Sequence, residues 1–164
     1  MDTVKSFRRR IQTVGTSMNE VKPRLLEKCA EIVKKEAEKA FGEDYWEPGP
    51  PLVSPWPELA DHTKVDKERL GATGRVSEYD TNLRTGETRD SIRTSISKDS
   101  FSVGSNSKIM EWIELGTTKM PPRSVLAGAL NRTSAKCARV LSSGMVSKLV
   151  GREVFEGEMV IRKV

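Results

Sequence analysis

Residues 113–130 read IELGTTKMPPRSVLAGAL, an apolar helical turn that meets a glycine, two threonines and a double proline before a second helical run. Gly116 can adopt the positive φ that ends a helix, and Pro121 and Pro122 fix an extended approach to the next helix. The stretch therefore predicts a rigid corner between two helices. Glu114 and Arg123 lie on the two sides of this corner, so an ion pair between them is one hypothesis and a solvated pair is the other.

The residues that flank the corner predict the helices of the C-terminal half. Residues 109–115 have the pattern of an amphipathic helix with Ile109, Trp112 and Ile113 facing inward, and residues 123–149 have the pattern of a longer helix. The apolar stripe of the longer helix comprises Val125, Leu126, Ala129, Leu130, Cys137, Val140 and Leu141, with Gly144 as a weak point. Alternation over residues 159–164 permits a final strand.

Upstream of the corner, the sequence indicates a short helical turn and then a strand pair. The helical turn covers about residues 87–92. Alternating side chains predict two short antiparallel strands, at residues 93–97 and 101–104, joined by a turn at residues 98–100.

The N-terminal region carries a narrow apolar stripe with helical spacing, at Val4, Phe7, Ile11, Val14, Met18, Val21 and Leu25. Pro23 interrupts the hydrogen bonding of such a helix, so we predict a short arm helix followed by a main helix from about Glu20 to Phe41, stopped by Gly42. The stripe does not identify its partner, which is either the sheet of the same chain or a neighbouring subunit.

Residues 43–60 hold five of the prolines and two of the tryptophans, Trp46 and Trp56, which predicts an ordered surface loop that docks on another surface. The polar residues 61–82 show no clear helix or strand pattern, so we predict that they extend this loop.

Together these patterns predict an α+β fold, in which a long N-terminal helix and a C-terminal helix pack on a small antiparallel sheet. We expect one domain over residues 1–164. It would consist of an N-terminal helical region (1–42), a long loop or insertion (43–82), and a part that holds the sheet, the corner and the C-terminal helix (83–164).

Composition indicates either long solvated elements or surfaces that are buried only in an assembly. Of the 164 residues, 36% are apolar and 31% are charged, which is lean for a self-sufficient core. The 28 Lys and Arg residues exceed the 23 Asp and Glu residues, but the basic residues are mostly spread along the chain. Arg8, Arg9 and Arg10 form the one basic cluster. A basic surplus of this kind could favour a polyanion, but a solvated helix face is the preferred interpretation.

The residue types needed for chemistry are sparse. The only histidine, His62, lies in a polar segment with no nucleophile elbow or phosphate-binding loop nearby. Cys29 and Cys137 each lie in an apolar helical pattern, which indicates two small buried residues and neither a disulfide nor a zinc site. We therefore expect no enzyme activity, no cofactor and no metal site.

No apolar run approaches the length of a membrane span or of a signal-peptide core. We therefore expect a soluble protein that is made without export and has no membrane partner.

Three motifs carry a resemblance to a known family. LRTGETRDSI at residues 83–92, VGS at residues 103–105 and IMEWIELGTTKMPPRSVLAGAL at residues 109–130 follow one another in this order. The series resembles the phage neck and tail-completion proteins, also called virion morphogenesis proteins of long-tailed phages. Their usual order is a TG-x-LR-x-SI element, a VGS strand, an aromatic-rich helix that ends in E-x-GT, and a proline turn into a last helix.

This resemblance implies a structural protein, not an enzyme. Such proteins form a ring, commonly of six subunits, at the neck or the tail terminus, which joins the tail to the head during assembly. The implied partners are copies of the same chain, neighbouring neck proteins, and tail-tube or tail-terminator proteins, with non-specific contact to passing DNA. The implied location is the virion neck or tail, and the host cytoplasm during assembly. A ring would also account for the lean apolar content.

The residues that we expect at subunit or partner interfaces fall into three groups. They are Glu114, Gly116, Thr117, Lys119, Pro121, Pro122 and Arg123 at the corner, Trp46 and Trp56 in the loop, and Arg89 and Asp90 in the helical turn. The alternative function is a basic nucleic-acid-binding module that uses Arg8, Arg9 and Arg10. Such a module usually has aromatic residues for stacking or a recognition helix, and the sequence shows neither pattern.

Overall fold

The computed structural model describes residues 2–41, 60–71 and 85–149. Along the chain the elements are α1 (Asp2–Lys39), α2 (Asp61–Gly71), α3 (Glu87–Asp90), β1 (Arg93–Ile96), β2 (Phe101–Gly104), α4 (Lys108–Leu115) and α5 (Leu126–Leu149). The described part is mostly helical with a small antiparallel sheet, in agreement with the predicted α+β class. The proline-rich residues 43–59 and the predicted strand at residues 159–164 lie outside the described residues.

The two strands form the predicted hairpin. Arg93 pairs with Gly104 and Ile96 pairs with Phe101. The N–H of Ser97 donates to the carbonyl of Ser100 at 2.8 Å, which closes the turn. The helical turn predicted ahead of the strands is α3, and both strands pack against α1.

The N-terminal region is one continuous helix of 38 residues, so the prediction of an arm helix and a separate main helix is wrong. Pro23 lies inside α1 with an exposed side chain. A proline removes one backbone hydrogen bond and crowds the preceding turn. At an exposed position water can solvate the carbonyl that loses its partner, and the buried Leu25 and Leu26 that follow keep the helix in place.

Helices α1 and α5 form an antiparallel pair, because Leu25 contacts Gly144 while Cys29 contacts Cys137. A Cβ atom added to Gly144 would lie 2.4 Å from the Cδ2 atom of Leu25. The glycine that we predicted as a weak point of the helix therefore lies directly against the side chain of Leu25. Its missing side chain is a packing requirement.

The two cysteines are free thiols in the interface between α1 and α5. The Sγ atom of Cys29 lies 3.7 Å from the carbonyl oxygen of Cys137, and the Sγ atom of Cys137 lies 3.8 Å from that of Cys29. Burial raises the pKa of Cys29 to about 12, so this thiol stays protonated at neutral pH. The prediction of two small buried residues is confirmed.

One core joins the helix pair, the hairpin and the corner. It consists of Cys29, Val33, Ala37, Ala40, Phe41, Ile92, Met110, Ile113, Val125, Ala129 and Cys137. Within the described residues, no helix combines the length and the apolar character needed to cross a membrane.

Several expectations about individual residues are corrected by the structure. The first part of the predicted loop over residues 61–82 is a helix, α2, whose weak apolar pattern gave little sign of it. Helix α5 begins at Leu126 and not at Arg123. Ile109, Trp112 and Leu130 are exposed, where the pattern placed them in the core.

Substitution of glycine by alanine at two positions tests the close contact between α1 and α5. Gly144→Ala should lower the free energy of unfolding by about 1–2 kcal/mol, because displacement of Leu25 outweighs the gain in helix propensity. Urea denaturation followed by circular dichroism measures this change. The matched control is Gly15→Ala, because a Cβ atom there meets no atom within 4 Å. A Gly144→Ala variant that is as stable as Gly15→Ala would contradict the packing requirement.

Candidate interaction site

The carboxylate of Glu114, on α4, caps the first turn of α5. Its Oε2 atom accepts hydrogen bonds from the backbone N–H groups of Val125 at 2.8 Å and Leu126 at 2.9 Å. Its Oε1 atom accepts from the N–H of Ala127 at 3.0 Å and from the Oγ of Ser124 at 2.9 Å. The first N–H groups of a helix lack intrahelical acceptors and carry partial positive charge, so a carboxylate at this point is strongly favourable.

The local sequence explains why the cap comes from another helix. The residue just before α5 is Val125, whose side chain cannot accept a hydrogen bond. Glu114 replaces the missing local cap and fastens α4 to the start of α5. The carboxylate therefore serves a helix terminus, in place of the ion pair with Arg123 that the sequence suggested.

Gly116 makes the sharp end of α4 possible. It has a φ of +77°, and its N–H donates to the carbonyl of Trp112 at 2.8 Å. A Cβ atom at this position would lie 2.8 Å from the backbone N of Pro122 and 2.9 Å from the carbonyl oxygen of Met120. The predicted helix end at Gly116 is confirmed, and close backbone packing adds a second reason for glycine.

Hydrogen bonds within residues 117–123 complete the corner. The N–H of Thr117 donates to the carbonyl of Met120 at 2.8 Å, and the Oγ1 of Thr117 accepts from the N–H of Met120 at 3.1 Å. The N–H of Arg123 then donates to the carbonyl of Ile113 at 2.7 Å, which ties the exit of the corner back to α4. Backbone hydrogen bonds therefore hold both the turn at residues 117–120 and the exit of the corner at Arg123.

The side chain of Arg123 belongs to the interior of the chain. Only 7% of the residue is exposed, and burial lowers the pKa of its guanidinium. Among the other predicted interface residues at the corner, Lys119, Pro121 and Pro122 are exposed.

The remaining predicted interface residues lie away from the corner in the sequence. On α3, the Nε of Arg89 contacts the Oδ1 of the neighbouring Asp90 at 3.1 Å; the side chain of Asp90 is exposed and that of Arg89 is half-exposed. Trp46 and Trp56 lie outside the described residues.

The exposed apolar side of α4 is a candidate site that sequence reasoning missed. Ile109 is 49% exposed, Trp112 is 50% exposed and Leu115 is 73% exposed. Their spacing of three places them along one side of the helix, while Met110 and Ile113 are buried on the other side. The sequence did contain a sign of this surface, because a helix of eight residues with five large apolar side chains cannot bury all of them on one side.

The candidate site is thus an exposed apolar surface on α4, a helix whose orientation the corner fixes. Among residues 2–41, 60–71 and 85–149, no three His, Cys, Asp or Glu side chains come close enough to hold a metal ion.

The chain matches no protein-family model, no curated protein and no solved structure.

Loss of the Glu114 carboxylate should destabilise the chain. Glu114→Ala leaves three backbone N–H groups and one hydroxyl without their acceptor, so we expect a loss of about 2–3 kcal/mol in the free energy of unfolding. The control is Glu111→Ala on the same helix. The exposed carboxylate of Glu111 pairs with the Nζ of Lys108 at 3.2 Å, so its loss should cost under about 0.5 kcal/mol. Urea denaturation compares the two, and equal losses would argue against the cap.

Gly116→Ala should also be destabilising, by about 2 kcal/mol or more, because alanine disfavours positive φ and its Cβ would collide with the backbone of Met120 and Pro122. The thermal midpoint and the urea midpoint of the variant measure the effect. Gly104→Ala, where a Cβ atom meets no atom within 4 Å, is the control. Wild-type stability of Gly116→Ala would mean that the corner adjusts easily and is not rigid.

Proposed function

We propose that this chain is a structural subunit of a phage virion, at the neck or the tail terminus, where copies of it form a ring that joins the tail to the head. The motif series over residues 83–130 supports this class of protein. Six subunits is the number that the resemblance implies, and the E-x-GT motif followed by prolines favours the tail end of the neck. The role requires binding surfaces and no catalytic step.

The observation that carries the proposal is the exposed apolar side of α4. Single exposed apolar residues are normal on protein surfaces, but three large ones along one side of a short helix are typical of an interaction surface. Aromatic residues, and tryptophan in particular, contribute strongly to protein interfaces. Trp112 at the centre of this side is therefore the best candidate for an anchor residue.

The corner supports the proposal for a geometric reason. A closed ring requires every subunit to present its contact faces at the same angle, because an error in angle repeats at each interface and prevents closure. The cap by Glu114 and the bond from Arg123 to Ile113 fix the direction of α4 relative to α5. The apolar side of α4 is thus held in one orientation.

Self-association of the purified chain tests the proposal, with Trp112→Ser as the decisive variant. We expect light scattering across a concentration series to show a mass several times that of one chain. Because a buried tryptophan anchor typically contributes about 2 kcal/mol or more to binding, Trp112→Ser should weaken assembly by roughly 30-fold or more. Circular dichroism should be unchanged, because half of this side chain is already exposed.

The matched control is Val65→Ser, which removes an exposed apolar side chain from α2 and should leave the mass unchanged. Cryo-electron microscopy of the particle would then locate the ring. A chain that stays monomeric at all concentrations and is absent from any particle would refute the proposal.

A further inference from the structure

The two cysteines of the chain face each other between α1 and α5. They are the only cysteines in the sequence, and 108 positions separate them. The Sγ atom of Cys29 lies 3.7 Å from the carbonyl oxygen of Cys137, and the Sγ atom of Cys137 lies 3.8 Å from the carbonyl oxygen of Cys29. We call Cys29 and Cys137 the thiol pair. Folding alone brings the pair together.

The two thiols of the pair also contact each other. Burial, the charge interaction with Cys137 and a hydrogen bond between the two side chains raise the pKa of Cys29. A thiol reacts as its thiolate, so this group is inert while the two helices are closed around it. Oxidation of the thiol pair therefore requires α1 and α5 to separate locally.

Packing alone does not require cysteine at both positions. Alanine occupies other small positions of the same core, including Ala37 and Ala129, and it carries no reactive group. Here a thiol stands on each side of one contact. Because the sequence holds no third cysteine, the thiol pair has a single possible product within the chain and cannot form a wrong pairing.

We propose that the thiol pair is a redox-controlled cross-link, in which oxidation joins Cys29 to Cys137 and locks α1 to α5. In the reduced chain the two helices can separate and close again. In the oxidised chain the covalent bond prevents this separation. Both cysteines belong to one chain, so the proposal does not depend on the proposed ring.

The oxidant is a low-molecular-weight disulfide such as oxidised glutathione. When the helices separate, the thiolate of Cys137, the more exposed of the pair, attacks one sulfur of the oxidant. The S–S bond of the oxidant breaks and one thiol leaves. The thiolate of Cys29 then attacks the sulfur of Cys137 and releases the second thiol. The thiol pair has lost two electrons and two protons, and the oxidant has become two thiols.

Oxidation of the full chain under native conditions tests the proposal. The chain is incubated with oxidised glutathione, the remaining thiols are alkylated, and mass spectrometry identifies the product. We expect a monomer that is lighter by two hydrogen atoms, carries no glutathione and has Cys29 linked to Cys137. Because the cross-link closes a loop of 108 residues, the thermal midpoint should rise by about 10 °C and fall back after reduction with dithiothreitol.

Variants of the helix pair test the requirement for separation. Gly144→Ala displaces Leu25 in the contact between α1 and α5, so it should speed up formation of the cross-link by about 5- to 30-fold. The matched control is Gly15→Ala, where a Cβ atom meets no atom within 4 Å, and it should react at the wild-type rate. Low urea concentrations that leave the chain folded should also accelerate the reaction of the wild type. Cys137→Ala should show no rise in the thermal midpoint.

Three results would overturn the proposal. The first is a product that is a glutathione adduct or a dimer of two chains in place of the cross-link within one chain. The second is a cross-link that forms only in fully denaturing urea, or that leaves the thermal midpoint unchanged. The third is an equal rate in wild type, in Gly144→Ala and at low urea, which would mean that the thiol pair reacts without separation of the helices.

Discussion

The hydrogen bonds from the start of α5 to the carboxylate of Glu114 are the constraint on which the C-terminal half depends. They supply the cap that Val125 cannot, and they do so from a different helix. A single side chain therefore both stabilises α5 and orients α4. The same arrangement explains the glycine at position 116. Helix α4 must end directly after Leu115 for the chain to turn and bring the first turn of α5 to the carboxylate of Glu114.

The helix pair shows how packing overrides local preference. Pro23 opposes a continuous helix and Gly144 weakens one, yet both occur in helices that are intact. The burial of Leu25, Leu26 and Cys29 outweighs the loss of one hydrogen bond at the exposed Pro23. Gly144 gives up helix propensity but permits the contact with Leu25, so its cost is offset in the tertiary structure.

The sequence predicted the elements whose signals are local and missed those set by contacts between elements. The hairpin, α3, α4 and the end of α4 at Gly116 follow from alternation, periodicity and backbone preference, and the structure agrees with each. The cap by Glu114 could not be predicted in this way, because it joins residues that only the folded corner brings together. The direction of Trp112 was missed for a related reason: periodicity defines a stripe but does not say which of two apolar sides meets the core.

The charges on the exposed side of α4 are compatible with contact between identical copies. Lys108 and Glu111 on α4 form an ion pair without net charge, so identical copies would meet no like-charge repulsion from this pair. The cap by Glu114 and the bond from Arg123 to Ile113 allow α4 one orientation, so they would also set the angle at which two copies meet through this side.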